Sequence, residues 1–118
     1  MDVTILRSRL EGERTRLLLE VRDLRDSEKA PGRRDENSGY GNHLADDASE
    51  TFEHEKNQAL MRNLQCLLQL VNHALQKIDE GTYGLCDRCQ QPIGEERLMA
   101  LPHATLCVHC KAREEKGR

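Results

Sequence analysis

Residues 84–94 read Gly-Leu-Cys-Asp-Arg-Cys-Gln-Gln-Pro-Ile-Gly, and residues 107–110 read Cys-Val-His-Cys. The two Cys-x-x-Cys pairs are separated by seventeen residues, within the range typical of zinc sites built from four cysteines. Four thiolates fill the tetrahedral shell of one zinc ion, which leaves no open position for a catalytic water. The spacing therefore predicts one structural zinc ion, and its four ligands are Cys86, Cys89, Cys107 and Cys110.

Iron and a redox disulfide are the alternatives to zinc at these four cysteines. Iron accepts the same four thiolates, so the ligand set leaves zinc or iron open, and zinc is favoured because structural four-cysteine zinc sites are common in small domains. A redox disulfide would need one Cys-x-x-Cys beside a βαβ pattern, which is absent here. His103 and His109 lie near the second pair, but four cysteines already saturate the ion. Arg88 and Lys111 are expected to offset part of the negative charge of the thiolates.

The residues around the cysteines predict a small knuckle with little core of its own. Gly84 and Gly94 flank the first pair and are expected to form its tight turns. Leu98, Leu101 and Leu106 are the apolar residues expected behind the metal. Because so small a core cannot fold unaided, we expect this segment to depend on its metal.

Two apolar repeats upstream of the cysteines predict two long helices. The first runs from Val3 to about Lys29 with apolar spacings of three, four or seven, and Glu13 and Arg14 interrupt it. The second alternates steps of four and three without a break, as in a coiled coil. The first repeat consists of Val3, Leu6, Leu10, Leu17, Val21 and Leu24. The second consists of Leu60, Leu64, Leu67, Val71, Ala74 and Ile78.

The second helix is expected to begin near Asp47, since Asp47 and Glu50 have the spacing of a capping box, and to end before Gly81. Cys66 lies within it but off the apolar repeat, which indicates an inert, partly covered thiol. The segment from Ala30 to Asp46 is rich in Gly, Pro and Asn and is predicted to be a loop.

These elements predict a mostly α fold in which the second helix returns along the first as an antiparallel two-helix coiled-coil hairpin. Residues 1–80 would form this hairpin, with an acidic tip loop at about residues 30–48. Residues 81–118 would form a four-cysteine zinc finger and a short C-terminal helix.

Composition excludes several classes of protein. The 118-residue chain is 36% hydrophobic and 33% charged, so we expect one domain without a thick core. A net charge of −3 argues against sequence-specific DNA binding, which needs a basic surface. The absence of a long apolar stretch or signal peptide, together with the paired cysteines, predicts a cytoplasmic protein.

The sequence also lacks the motifs of an enzyme. It has no nucleophile elbow, no phosphate-binding glycine loop and no histidine triad with an open metal position. The scattered histidines, which are His43, His54 and His73, are expected to lie on the surface. We therefore predict a binding protein without catalytic residues.

Acidic residues are concentrated between Asp35 and Glu55, a stretch without Lys or Arg. One interpretation is a solvated loop whose carboxylates favour the start of the following helix. The other is a contact surface for a cationic or metal-bearing partner.

The run Ile78-Asp-Glu-Gly-Thr-Tyr-Gly-Leu-Cys86-Asp-Arg-Cys89, with Pro92-Ile93-Gly94 and the second cysteine pair, resembles the zinc finger of the TraR/DksA family. Residues 42–50 are similar to the tip segment of the family branch that includes YteA-like sporulation and general stress proteins. In the DksA branch the tip reads Asp-x-x-Asp-x-Ala. Here His43-Leu-Ala-Asp46-Asp47-Ala48 keeps the second Asp and the Ala, and His43 replaces the first Asp.

This resemblance implies a bacterial transcription regulator that binds RNA polymerase instead of DNA. Its coiled coil would enter the secondary channel with the tip residues Asp46, Asp47 and Ala48 towards the active site. The resemblance also implies an indirect response to the alarmone ppGpp, for which no residues are assigned here. The alternative is a zinc-stapled coiled-coil adaptor or oligomerisation protein with another partner, which an open apolar seam on the first helix would favour.

Overall fold

The structure, a computed structural model, describes residues 2–28 and 43–117, with side chains from residue 50 onward in the second range. This part of the chain forms four helices and one isolated β-bridge between Leu85 and Pro92. The helices are α1 (Val3–Glu28), α2 (His43–Glu80), α3 (Glu95–Ala100) and α4 (Val108–Lys116). The mostly α fold class is therefore confirmed.

Helices α1 and α2 run antiparallel. The start of α1 lies beside the end of α2, because Arg7 pairs with Asp79 at 3.1 Å. The end of α1 lies beside an earlier part of α2, because Asn57 donates a hydrogen bond to Glu28 at 2.8 Å. These two contacts define the predicted hairpin.

The apolar repeats meet along this hairpin and form its core. The predicted repeat positions are buried or half-buried except Leu60, which is exposed. Leu75 also joins the core, although it lies outside the predicted repeat. The buried members of the cluster are Leu10, Leu17, Val21, Leu64, Val71, Ala74 and Leu75. The α1 repeat from Leu6 to Val21 is covered, so this stretch does not form the open seam that an oligomerisation protein would need.

The start of α2 differs from the expectation. The helix begins at His43, four residues before Asp47, so Asp47 and Glu50 lie inside it and do not form a capping box at its start. Residues 43–48 of the predicted tip loop are therefore helical, and residues 30–42 of that loop lie outside the described part. The sequence is compatible with this earlier start, since no Gly or Pro lies between Gly41 and Gly81.

The molecule is elongated, with extents of 62 × 33 × 20 Å. Its radius of gyration of 19.9 Å exceeds the value of about 13.5 Å expected for a compact chain of this length. The long axis follows from the length of α2, because 38 residues of helix span roughly 57 Å.

A second apolar cluster joins the cysteine-bearing segment to the base of the hairpin. It contains Leu6 of α1, which is 0% exposed, and Tyr83 packs against both clusters. The hydroxyl of Tyr83 donates a hydrogen bond to the carbonyl oxygen of Pro102 at 2.8 Å. The buried members of this second cluster are Leu6, Cys86, Ile93, Leu98, Cys107 and Cys110.

Within the described ranges, no helix combines the length and the apolar character that crossing a membrane requires.

Candidate metal centre

The first cysteine pair lies in a tight backbone turn. The amide of Cys86 donates to the carbonyl of Gln91 at 2.9 Å, and the amide of Ile93 donates to the carbonyl of Gly84 at 2.7 Å. Gly84 has φ 91° and Gly94 has φ 108°, a region that residues with a Cβ rarely adopt. The two glycines therefore allow the turns that the sequence predicts on either side of the first cysteine pair.

The second pair lies at the start of α4. Cys107 is the N-cap residue, and its sulfur accepts a hydrogen bond from the amide of Cys110 at 3.5 Å. The helix dipole places partial positive charge at this end, which favours a thiolate. In the first pair, the amide of Arg88 donates in the same way to the sulfur of Cys86 at 3.4 Å.

The four sulfur atoms converge on one point, since all lie within 4.8 Å of one another. The sulfurs of Cys89 and Cys107 are 3.7 Å apart. A tetrahedron with zinc–sulfur bonds of about 2.3 Å has edges of about 3.8 Å, so this spacing fits zinc. All four residues are free cysteines, and three of them are buried while Cys89 is exposed. The predicted metal ligands are therefore brought together.

Backbone donors and burial act in opposite directions on the thiols. The amide of Cys110 lowers the pKa of Cys107. Burial disfavours the thiolate of Cys86, but the amides of Cys89, Cys107 and Arg88 outweigh it and lower the pKa of Cys86 to about 5. Burial and the neighbouring sulfurs raise the pKa of Cys110 to about 12. The surroundings thus favour the thiolate at Cys86 and Cys107 and the thiol at Cys110, and a bound zinc ion would require all four cysteines as thiolates.

The structure corrects two predictions about the surroundings of the site. Leu98 is buried and Leu106 half-buried, but Leu101 is 44% exposed and does not back the metal. Cys66 is exposed, not partly covered. Lys111 pairs with Glu114 at 3.7 Å, and the expected offset of thiolate charge by Lys111 stays a prediction.

The amides of Arg88 and Cys110 donate to the sulfurs of Cys86 and Cys107, and the offset of thiolate charge by the side chain of Arg88 stays a prediction. Neither His103 nor His109 belongs to the metal-binding cluster found within the described residues. Sequence reasoning also missed Ile93 and Leu6 as the apolar cover of the metal centre. Leu6 was assigned to the helix repeat, and nothing local distinguishes it from the other leucines of α1.

The tip residues stand apart from this centre. Asp46, Asp47 and Ala48 lie in the first turns of α2, and their side chains are outside the described part. The metal centre lies beyond the other end of α2.

Comparisons with known proteins agree with this architecture. Residues 81–116 match the prokaryotic dksA/traR C4-type zinc finger family. The chain is 44% identical over 77 residues to the uncharacterized protein YteA of Bacillus subtilis, which covers 65% of this chain and 32% of YteA. It is 33% identical over 73 residues to the RNA polymerase-binding transcription factor DksA of Caulobacter vibrioides, which covers 62% of this chain and 51% of that protein.

One solved structure matches almost the whole chain. The transcription factor DksA2 from Pseudomonas aeruginosa superposes with a TM-score of 0.74 at 25% identity, covering 96% of this chain and 82% of DksA2. By contrast, the chain spans about a third to a half of the length of the curated relatives it matches. The predicted resemblance is confirmed by these matches, and with the geometry of the four sulfurs they establish one structural zinc site.

Proposed function

From the match of residues 81–116 to the prokaryotic dksA/traR C4-type zinc finger family, we propose that this chain regulates transcription by binding bacterial RNA polymerase. The observation that carries the proposal is the combination of a long two-helix hairpin with a zinc finger packed at its base. The transcription factor DksA2 shares this architecture over 96% of the chain.

We propose that the hairpin enters the secondary channel of the polymerase. Helix α2 continues beyond the contact between Glu28 and His54, from residue 53 back to residue 43. This extension of eleven residues measures roughly 16 Å, and Asp46, Asp47 and Ala48 lie on it. An acidic helical segment of this kind suits a channel that leads to an active site with bound metal ions.

The zinc finger has a mechanical role in this proposal. It holds Leu6 of α1 and the chain after α2 in one apolar cluster, so the hairpin is presented at a defined angle. The protein would act by binding, without a catalytic step of its own, in the cytoplasm where the polymerase works. A response to ppGpp would be indirect, through the polymerase, and no sequence-specific DNA contact is needed.

The test is a pull-down of purified bacterial RNA polymerase by the zinc-loaded full chain, followed by transcription in vitro. We expect wild-type protein to bind the polymerase and to alter transcript yield. Asp46→Asn and Asp47→Asn should retain binding and lose most of the effect on transcription, because the carboxylates act at the tip. Glu115→Gln, which removes an exposed carboxylate on α4, is the matched control and should behave as wild type.

Two outcomes would contradict the proposal in different ways. Failure of the wild-type protein to bind the polymerase would exclude the partner itself. Full transcriptional activity in both tip variants would retain the partner but exclude the role of Asp46 and Asp47. A photo-crosslinking amino acid introduced at residue 47 should also react with polymerase residues that line the secondary channel.

A further inference from the structure

A buried lysine joins the end of α2 to the first cysteine pair. Lys77 is 7% exposed, and its ammonium donates to the carbonyl of Leu85 at 2.5 Å and to a carboxylate oxygen of Asp87 at 2.7 Å. A buried ammonium is costly unless it is paired and hydrogen-bonded. Both of its acceptors are next to Cys86 in sequence, one on each side. The charge of Lys77 is therefore satisfied by the metal-binding turn itself.

Asp87 extends this contact to other parts of the molecule. Its second carboxylate oxygen lies 2.9 Å from Nε2 of His73, one turn earlier on α2. Its amide donates to the carbonyl of Thr105 at 2.8 Å, in the segment that leads to Cys107. One residue inside the first Cys-x-x-Cys pair thus contacts α2 through its side chain and the second cysteine segment through its backbone.

We propose that Lys77 is a positioning residue for the zinc centre, and that its contacts with Leu85 and Asp87 couple metal binding to the order of the last turns of α2. Without zinc, the turn around Cys86 loses the ion that holds its two thiolates together. Leu85 and Asp87 then no longer stay in place as acceptors. The ammonium must move to water, and the end of α2 opens with it.

This coupling is reciprocal, because a ligand that orders a segment binds less tightly when that segment is disordered by other means. Disrupting the contacts of Lys77 should therefore weaken zinc binding, although Lys77 has no contact with the ion. This coupling between the metal and the hairpin does not depend on the polymerase proposed above as a partner.

The first test is zinc affinity, measured on the full chain by competition with a chromophoric chelator. Lys77→Met retains most of the buried stem and removes the charge, and we expect zinc to bind about tenfold more weakly, as for other residues that support metal ligands. Lys56→Met, at an exposed position of the same helix, should leave the affinity unchanged. Arg7→Met removes the ion pair with Asp79, which orders the end of α2 only weakly because both side chains are exposed, so this variant should also leave the affinity unchanged.

A double variant tests whether Lys77 acts through Asp87. Asp87→Asn should weaken zinc binding by itself. In the double variant with Lys77→Met, zinc affinity should fall by a smaller factor than the product of the two single-variant factors. If the two effects multiply fully, or if Lys77→Met binds zinc within twofold of the two control variants, the proposal is overturned.

Hydrogen exchange of the wild-type chain tests the same coupling without any substitution. On removal of zinc with a chelator, amides of residues 73–80 should exchange at least tenfold faster. Residues 60–67, in the middle of the same helix, should change much less. Equal protection of residues 73–80 with and without zinc would refute the coupling, even if the variants proved too unstable to measure.

Discussion

The four cysteines are chemically alike but differ in their surroundings. Cys86 accepts backbone hydrogen bonds that favour its thiolate, and its pKa falls to about 5. Burial, together with the neighbouring sulfurs, raises the pKa of Cys110 to about 12. At neutral pH the metal-free cluster therefore holds the proton of Cys110 but not that of Cys86.

This difference predicts that zinc binding releases protons. At pH 7.5 the metal must displace the proton of Cys110, whereas Cys86 is already ionised, so the number released should be at least one and fewer than four. Zinc affinity should rise with pH and fall increasingly steeply as the pH drops towards 5, where Cys86 also binds a proton. The measurement is calorimetric titration of metal-free protein in buffers with different ionisation enthalpies.

Cys66 provides the control for this titration, because it is exposed and lies outside the cluster. Cys66→Ser should bind one zinc ion and release the same number of protons as the wild type. A zinc affinity that did not change between pH 6 and pH 8 would contradict the assignment of the pKa values.

At the scale of single helices, neighbouring leucines of α1 have different environments. Leu17 is 0% exposed in the seam with α2, whereas Leu18 is 51% exposed. Leu17→Ala should lower the free energy of unfolding by about 2 to 5 kcal/mol, through lost burial and the cavity that remains. Leu18→Ala should change it by less than about 0.5 kcal/mol.

These two variants can be compared by chemical denaturation of the zinc-loaded chain, followed by circular dichroism of the helices. They remove the same atoms from adjacent positions, so their helix propensities are matched. Equal destabilisation by the two substitutions would mean that the register of α1 against α2 is different from the one described.

At the scale of the whole molecule, Leu6 connects the first helix to the zinc finger. It is separated from Cys86 by eighty residues of sequence, yet it is 0% exposed within the cluster around the metal ligands. Leu6→Ala should therefore increase hydrogen exchange in residues 93–110, far from the substitution in sequence. Ile5→Ala, at a position that is 54% exposed, is the matched control.

The comparison is made by mass spectrometry of the exchanged, zinc-loaded proteins. We expect the Leu6→Ala cavity to loosen both the start of α1 and the finger, because the two share one core. If faster exchange were confined to α1, the finger and the hairpin would be separate folding units.

Local patterns in the sequence were sufficient to predict the metal ligands and most of the two helices of the hairpin. Cysteine spacing depends on a turn of a few residues, and an apolar repeat depends on helix geometry, so both are readable without long-range information. The start of α2 was misplaced because the capping-box pattern of Asp47 and Glu50 also occurs inside helices. The exposure of Leu101 was missed because the apolar character of a residue near the cysteines does not report what packs against it.

The sequence by itself determined the four thiolates, the two apolar stripes and the interruption between them, since each arises from residues close together along the chain. Only the tertiary structure decided that Leu6 covers the metal centre and that Lys77 is buried against Asp87. Both contacts depend on the angle at which the finger folds back onto the hairpin. That angle results from packing between residues far apart in sequence, which local propensity does not encode.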